Sequence, residues 1–132
     1  MNIEVKSSIK PVDYLEAMHV LENRVLNVIN GKERELLWIL EHKTVYTAGK
    51  NSNKKDILVK KLKVLKTNRG GKITLHSPGQ KVVYFVLNLN LREKDIRKLV
   101  SNIESCIIDT LKEYKVKSFS DKKNIGIWIS KN

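Results

Sequence analysis

The sequence of 132 residues lacks the features that mark secreted, disulfide-stabilised or membrane-spanning proteins. Its single cysteine, Cys106, has no second cysteine with which to form an internal disulfide, which is typical of proteins in a reducing cytoplasm. No apolar run approaches the roughly 18 residues that a membrane-spanning helix needs. The N-terminal residues MNIEVKSSIKPVDY contain no apolar core of a secretory signal. The sequence therefore predicts a cytoplasmic protein with no membrane partner.

Acidic residues are scarce in one stretch of the chain. The sequence has 26 Lys and Arg against 14 Asp and Glu, a net charge of +12. The stretch from Lys43 to Lys81, here called the basic segment, has eleven basic residues and one acid, Asp56, so it carries +10 of that charge. A concentrated positive field favours an acidic or polyanionic partner. The other interpretation is a coding bias towards lysine, which gives the same excess without a function.

Two segments have the periodicity of amphipathic helices. Apolar residues recur every three or four positions from Pro11 to Asn30 and again from Glu93 to Tyr114. Pro11 suits the first turn of the first helix, and Gly31 suits its C-terminal cap. The predicted buried stripe of this helix consists of Val12, Leu15, Met18, Leu21, Val25 and Val28.

Short runs of β-branched, aromatic and aliphatic residues predict the strands. They are Glu35–His42, Thr44–Ala48, Val64–Lys66, Lys72–His76, Val82–Asn90, Val116–Phe119 and Ile125–Ile129. The order of elements favours one α+β domain over residues 1–132, with helices flanking a mixed, largely antiparallel sheet. The last predicted strand ends close to Asn132 with nothing to cover it, so we expect the domain to be incomplete at its C-terminus.

The residues from Arg69 to Gln80, RGGKITLHSPGQ, are the strongest candidate for a functional site. Two glycines after an arginine allow the backbone to approach a ligand closely. A short strand then leads to His76, which can exchange a proton near neutral pH, and to a Ser-Pro-Gly turn. The pattern fits a concave ligand site, and it also fits an ordinary β-hairpin with a glycine-rich turn.

This segment strongly resembles the R-G-G-x-x-T-Y-H-G-P-G-Q signature of the octanoyl-[acyl-carrier-protein]:protein N-octanoyltransferases, also called lipoate–protein ligase B. Upstream, EHKTVYTAG (Glu41–Gly49) resembles the E-H-x-x-V-Y/F-T-x-G segment of that family. Downstream, VVYFVLNL and GIWI resemble two of its strands. The resemblance extends from about Pro11 to Ile129.

The resemblance implies a fold related to the catalytic domain of biotin and lipoate protein ligases, and an acyltransferase that uses no cofactor and no metal. Family members take octanoyl from acyl carrier protein onto a cysteine. They then pass it to a lysine on lipoyl domains, which belong to 2-oxoacid dehydrogenases and to the glycine cleavage H protein. The signature lines the family's acyl pocket, which assigns substrate binding here to Arg69, Gly70, Gly71, Lys72, Ile73, Thr74, Leu75 and His76. Because acyl carrier proteins are acidic, the basic segment is expected to dock them.

The sequence departs from the family pattern in two ways. Leu75 replaces the usual tyrosine of the signature and Ser77 the usual glycine, which is costly only if residue 77 needs a positive φ. The family's K-I-A-A-I-G segment, whose lysine activates the nucleophile, and its P-C-G segment, which contains the nucleophilic cysteine, do not occur in the 132 residues. Lys131 lacks the first context and is given no role. We therefore expect no catalytic residue within this chain and an inactive fragment, from a split gene, a decaying gene or a partial sequence.

The remaining candidate residues are given structural roles. Cys106 lies within a predicted helix and is expected to pack in the core. His42 either shapes the pocket wall or is a hydrogen-bonded structural residue, and His19 is expected at the solvent boundary of its helix. No residues have the spacing of zinc ligands.

Two other functions remain open. A basic nucleic-acid-binding module would explain the charge, but the basic segment contains one aromatic residue, Tyr46, and hence no stacking platform. An ATP-dependent relative of the lipoate and biotin ligases would explain the fold, but no adenylate-binding segment is evident.

Overall fold

The structure, a computed structural model, describes residues 3–59, 61–121, 123–124 and 126–129. They form two compact units that divide between Asn88 and Leu89, and a single domain over residues 1–132 stays a prediction. The described residues contain two α-helices, α1 (Tyr14–Ile29) and α2 (Ile96–Glu113). Their strands are β1 (Ile3–Ser7), β2 (Glu35–Leu40), β3 (Val45–Ala48), β4 (Val64–Lys66), β5 (Ile73–His76), β6 (Val82–Val86), β7 (Ser118–Ser120) and β8 (Ile127–Ile129). None of the helices in this part of the chain is long and apolar enough to cross a membrane.

Helix α1 begins at Tyr14 rather than at Pro11, because Asp13 caps it. The carboxylate of Asp13 accepts hydrogen bonds from the backbone N–H groups of Leu15 and Glu16, at 2.9 and 3.3 Å. These bonds satisfy donors that the start of a helix leaves without an intrahelical partner. At the other end Gly31 has a φ of 67°, which confirms the predicted glycine cap.

The buried face of α1 differs from the predicted stripe. Leu15 is 60% exposed and Val25 is 42% exposed, so their predicted burial is wrong. The buried residues are Tyr14, Ala17 and Val28, and the half-buried residues beside them include Met18 and Leu21. Leu15 lies about 100° around the helix from Tyr14, which turns it away from this face.

The core of the first unit lies between α1 and a three-stranded sheet. Strand β2 is central in this sheet, parallel to β1 and antiparallel to β6. Successive side chains of a strand point to opposite faces, and Leu36, Trp38 and Leu40 of β2 are buried against Ala17 and Val28 of α1. Strand β1 was not predicted, whereas β2 and β6 end two and four residues earlier than predicted.

A second sheet, in the order β4-β3-β5, forms the candidate site. Strand β3 is parallel to β4 and antiparallel to β5. Thr47 of β3 lies opposite Leu65 of β4 and Thr74 of β5. Residues that face each other across a sheet share a face, so these three residues and His76, two positions after Thr74, lie on the same side. This side is called the inner face below.

The second unit consists of α2 and an antiparallel pair, β7 and β8, against which it packs. Helix α2 begins at Ile96 rather than at Glu93, because Asp95 caps it by accepting a hydrogen bond from the N–H of Lys98 at 3.0 Å. Strand β7 begins two residues later than predicted. The first residues of the last predicted strand include Ile125, which lies outside the described residues, as does Lys131. The predicted α+β class with mixed, largely antiparallel sheets is confirmed.

Candidate functional site

Two loops meet so closely at one end of the second sheet that one position admits only glycine. A Cβ atom at Gly49 would lie 2.4 Å from the carbonyl oxygen of Gly71 and 2.5 Å from that of Gly70. The backbone N–H groups of Gly49, Lys50 and Asn51 donate to the carbonyl oxygens of Lys72, Arg69 and Gly71, at 3.1, 2.9 and 3.1 Å. The loop after β3 therefore fixes the shape of the glycine-rich loop before β5.

The guanidinium of Arg69 is turned back onto its own loop and onto β3. It donates to Thr47 through both Oγ1, at 2.8 Å, and the backbone oxygen, at 2.8 Å. It also donates to the backbone oxygens of Gly70 and Lys72, at 2.8 and 2.9 Å. The N–H groups of the guanidinium are therefore engaged by acceptors of the chain itself, which hold the loop in place. One of these acceptors, Thr47, is fully buried. Arg69 thus shapes the site.

Two histidines and two tyrosines form a cluster at the other end of β5. It consists of Tyr14, His42, His76 and Tyr84 and is called the His–Tyr cluster below. His42 is fully buried, with Nδ1 3.0 Å from the carbonyl oxygen of Val12 and Nε2 2.8 Å from the hydroxyl of Tyr84. Burial lowers the pKa of His42 and raises the pKa of Tyr84 to about 12, because both rings are held away from water. Both side chains are therefore neutral around pH 7.

His76 joins this cluster from the end of β5. Its ring centroid is 5.9 Å from that of Tyr14, in a stacked arrangement, and 5.6 Å from that of His42, edge to face. Nδ1 of His76 is 2.8 Å from Oε1 of Gln80. Packing against two rings and one polar contact fix the plane of this half-buried imidazole.

The Ser77-Pro78-Gly79 turn is held from outside by Glu41. One oxygen of Glu41 accepts from the N–H of Gly79 at 2.9 Å and the other lies 3.0 Å from Nζ of Lys81. The hydrogen bond from Gly79, assisted by Lys81, lowers the pKa of this carboxyl. Gly79 has a φ of 91°, whereas Lys115 is the one non-glycine residue with a positive φ in the described part of the chain. Ser77 therefore fits its position without backbone strain.

The signature strand β5 presents different residues on its two faces. Thr74 and His76 lie on the inner face, whereas Ile73 and Leu75 lie on the outer one, with Leu75 42% exposed. Leu75 is paired with Tyr46 across the sheet, so the tyrosine that the family has there would not point towards the His–Tyr cluster. Ile73 instead lines an outer cavity of about 390 Å³, together with Ala48, Ile57 and Val64.

An inner cavity of about 310 Å³ borders the His–Tyr cluster. Tyr14 belongs to both, and the apolar lining is completed by Leu15, Val45 and Leu65. Lys43 and Lys63 also line it, as does Asp13. Two lysines of the basic segment are thus part of the lining of this cavity, beside its apolar residues. Lys60 of that segment lies outside the described residues.

The two remaining candidates, Cys106 and His19, are both exposed. Cys106 is exposed, so the prediction that it packs in the core is wrong. Positions three and four apart share a helix face, which places Cys106 with polar residues of α2. These are Asn102, Ser105, Asp109, Thr110 and Glu113. His19 is exposed, as predicted, and its Nε2 lies 3.2 Å from the amide nitrogen of Asn23.

Four residues of the site were not singled out from the sequence: Tyr14, Gly49, Tyr84 and Gln80. Gly49 and Tyr84 lie within segments that resemble the family, but nothing in their spacing indicates a contact with residues 22 or 42 positions away. Tyr14 follows a helix cap, so the sequence indicates that it lies in the first turn of the helix. It does not indicate which residues the tyrosine contacts. The tertiary fold brings Tyr14 and Tyr84 to His42, and Gly49 to the glycine-rich loop. The local turn after β5 brings Gln80 to His76.

Comparison with known proteins identifies relatives for nearly the whole chain. The family model of the lipoyl protein ligase A/B catalytic domain matches residues 13–132, which confirms the expected relationship of the fold. The chain is 43% identical to the octanoyltransferase of Anaplasma phagocytophilum (strain HZ), over 98% of this chain and 63% of the relative. It is 39% identical to the octanoyltransferase of Ehrlichia canis (strain Jake), over 98% of this chain and 62% of that relative. For the octanoyltransferase of Sinorhizobium medicae (strain WSM419) the identity is 40%, over 90% of this chain and 46% of that relative. The chain thus spans less than two thirds of the length of these relatives.

Proposed function

This chain belongs to the family of the lipoyl protein ligase A/B catalytic domain, on its octanoyltransferase branch, and we propose from that membership that it forms the acyl-binding part of an octanoyltransferase. The octanoyl donor is acyl carrier protein and the acceptor is a lysine of a lipoyl domain, in the cytoplasm. The observation that carries the proposal is the inner cavity, which has Leu15, Val45 and Leu65 in its lining and is bordered by the His–Tyr cluster.

The inner cavity suits a medium-length acyl chain. Leu15, Val45 and Leu65 offer hydrocarbon walls, and each methylene removed from water contributes about 0.8 kcal/mol. Tyr14 connects these walls to His76, so the thioester end of the chain lies beside the histidine. The signature then contributes in two ways: Arg69 and the two glycines set the shape of the loop, while Thr74 and His76 face the ligand.

Octanoyl transfer requires a thiolate. It attacks the carbonyl carbon of the donor thioester, the new C–S bond forms and the pantetheine thiolate leaves. The acceptor amine then attacks the acyl-enzyme, a C–N bond forms, the enzyme thiolate leaves and the amine loses a proton. Cys106, the cysteine of this chain, lies on the polar, exposed side of α2 and receives no role in this scheme.

We accordingly expect no transfer by the 132 residues alone. The chain would be incubated with octanoyl-carrier protein and a lipoyl domain, and the acceptor mass followed with time. An acceptor that gains octanoyl, and no longer does so with Cys106→Ala, would assign the nucleophile to Cys106 and overturn this part of the proposal.

The acyl site itself is tested with a matched pair of substitutions in β4. Leu65→Trp fills the inner cavity, whereas Val64→Trp, at the preceding residue, places a tryptophan in the outer cavity. Binding of octanoyl-carrier protein, relative to the carrier without octanoyl, should weaken by about tenfold or more for Leu65→Trp, since several buried methylenes are displaced. Thermal unfolding of both variants checks that they fold. If Val64→Trp alone lost affinity for octanoyl-carrier protein, the acyl chain would be assigned to the outer cavity instead.

The other two functions considered from the sequence have less support. Matches to octanoyltransferases along 98% of the chain do not favour a nucleic-acid-binding module. The same names favour octanoyl transfer over an ATP-dependent ligase within the family. Titration with single-stranded RNA and with ATP plus lipoate, beside octanoyl-carrier protein, separates the three.

A further inference from the structure

We infer that Gln80 is a positioning residue that holds the imidazole of His76 with its proton on Nδ1, so that Nε2 accepts a hydrogen bond from the amide N–H of a pantetheine thioester. The identity of that ligand rests on the proposed function. The position of the proton on the ring does not, because it follows from contacts within the chain.

The turn after β5 brings Gln80 back beside His76. The N–H of Gln80 donates to the carbonyl oxygen of Ser77 at 3.1 Å, which closes the turn. Glu41 fixes the same turn through the N–H of Gly79. In this arrangement Oε1 of Gln80 lies 2.8 Å from Nδ1 of His76, a normal hydrogen-bond distance.

An amide oxygen can only accept, so Nδ1 must donate to it. A neutral imidazole has one ring proton, and Nε2 is then left with a lone pair. The described residues offer no hydrogen-bond partner to Nε2 of His76. His42 differs, because both of its nitrogens are engaged, by Val12 and by Tyr84. His76 is therefore the histidine of the cluster with an acceptor available to a ligand.

The chemistry of the ligand follows from the position of His76. Under the proposed function, the thioester end of the acyl chain lies beside this ring. In a pantetheine thioester the nearest hydrogen-bond donor is an amide N–H, separated from the sulfur by an ethylene unit. A lone pair on Nε2 matches that donor, whereas a proton on Nε2 would repel it. The tautomer set by Gln80 would thus orient the thioester for attack.

The tautomer is tested by NMR on histidine-labelled chain at a pH where His76 is neutral. The ring ¹⁵N shifts of His76, assigned with His76→Asn, should show a protonated Nδ1 and a bare Nε2. Gln80→Leu should give a mixture of tautomers, and Gln80→Glu, which keeps a carbonyl-type acceptor, should preserve the wild-type pattern. His42 is the internal control, because its own contacts should hold its shifts constant. A protonated Nε2 in the wild type, or an unchanged pattern in Gln80→Leu, would refute the inference.

The ligand contact is tested with two small thioesters that differ in one atom. S-octanoyl-N-acetylcysteamine has the amide N–H, and S-octanoyl-O-acetylmercaptoethanol has an ester oxygen in its place. The wild type should prefer the amide by about three- to tenfold, the equivalent of one hydrogen bond, and Gln80→Leu should lose that preference. Equal binding of both probes by the wild type would refute the ligand contact and leave the acyl site standing. Binding of neither probe would count against the proposed function, and the NMR result would still decide the tautomer.

Discussion

Tyr84 donates its hydroxyl proton to Nε2 of His42, over 2.8 Å. The direction is set on the far side of the ring, where Nδ1 lies 3.0 Å from the carbonyl oxygen of Val12, which can only accept. Because burial lowers the pKa of His42, the ring is neutral and has one proton, which Nδ1 uses. The two side chains thus connect β6 to the segment before α1 within the candidate site.

Replacing Tyr84 with phenylalanine should destabilise the fold. The ring is retained, but Nε2 of the fully buried His42 loses its donor, and an unsatisfied buried polar atom costs about 1–3 kcal/mol. Urea denaturation measures the change in the free energy of unfolding. Tyr114→Phe is the matched control: Tyr114 is 76% exposed, and its substitution should change stability by about 0.5 kcal/mol or less. Equal effects of the two substitutions would show that the His42–Tyr84 bond does not stabilise the fold.

The fold should lose stability as the pH falls below 6.5. The folded pKa of His42 is lowered from 6.5, so the unfolded chain takes up its proton first and is favoured by acid. The contribution is present above pH 6.5 and is lost as the pH falls through the folded pKa. Glu4 and Glu41 have pKa values lowered from 4.5, so their contribution is lost only at more acidic pH.

This loss of stability in acid is measured as the free energy of unfolding between pH 7.5 and pH 5.5. His19→Gln, at an exposed histidine, should leave its slope unchanged. NMR titration of the His42 ring gives the folded pKa directly. A ring that titrates at or above 6.5 in the folded chain would contradict the assignment.

Elements with a strong local pattern were predicted well from the sequence. Strand β4 has the predicted bounds, and both helices were located from their apolar periodicity, since that signal lies within each segment. Strand β1 was missed because its stability comes from parallel pairing with β2, some 30 residues away. Cys106 was misplaced because a free cysteine is commonly buried, whereas the neighbours of this one on the helix face are polar.

The candidate site was predicted as a segment but not as a geometry. The signature located Arg69 and His76 correctly as parts of one loop and strand. It did not show that the guanidinium of Arg69 is held by Thr47, 22 residues earlier, or that His76 packs on Tyr14. The first contact depends on the pairing within the second sheet and the second on how that sheet meets α1, and no local pattern records either.

Substituting Gly49 with alanine should disrupt the site more than substituting Gly70, a glycine of the signature that has open space around it. The new Cβ would lie 2.4 Å from a backbone oxygen, which cannot move without shifting the glycine-rich loop. We expect a loss of about 1–3 kcal/mol, typical of overpacking. Gly70→Ala is the control, because its Cβ would meet nothing within 4 Å. Denaturation curves give the free energy of unfolding of the two variants, and their affinity for octanoyl-carrier protein is measured as well. A Gly49→Ala chain as stable as Gly70→Ala would show that the two loops do not meet as described.

Reversing the charge of Lys43 and Lys63 should weaken the binding of acyl carrier protein. Both exposed lysines line the inner cavity, so an acidic carrier that delivers its acyl chain there would meet them. Lys43→Glu with Lys63→Glu should reduce affinity by about three- to thirtyfold at low salt, in line with a few exposed charge contacts. Because such contacts are screened, affinity should also become less dependent on salt. Lys94→Glu with Lys117→Glu changes the net charge equally, at exposed lysines outside the basic segment. Isothermal titration at two salt concentrations compares the pairs. Equal losses would reduce the effect to net charge, and no loss from either would favour coding bias as the origin of the basic segment.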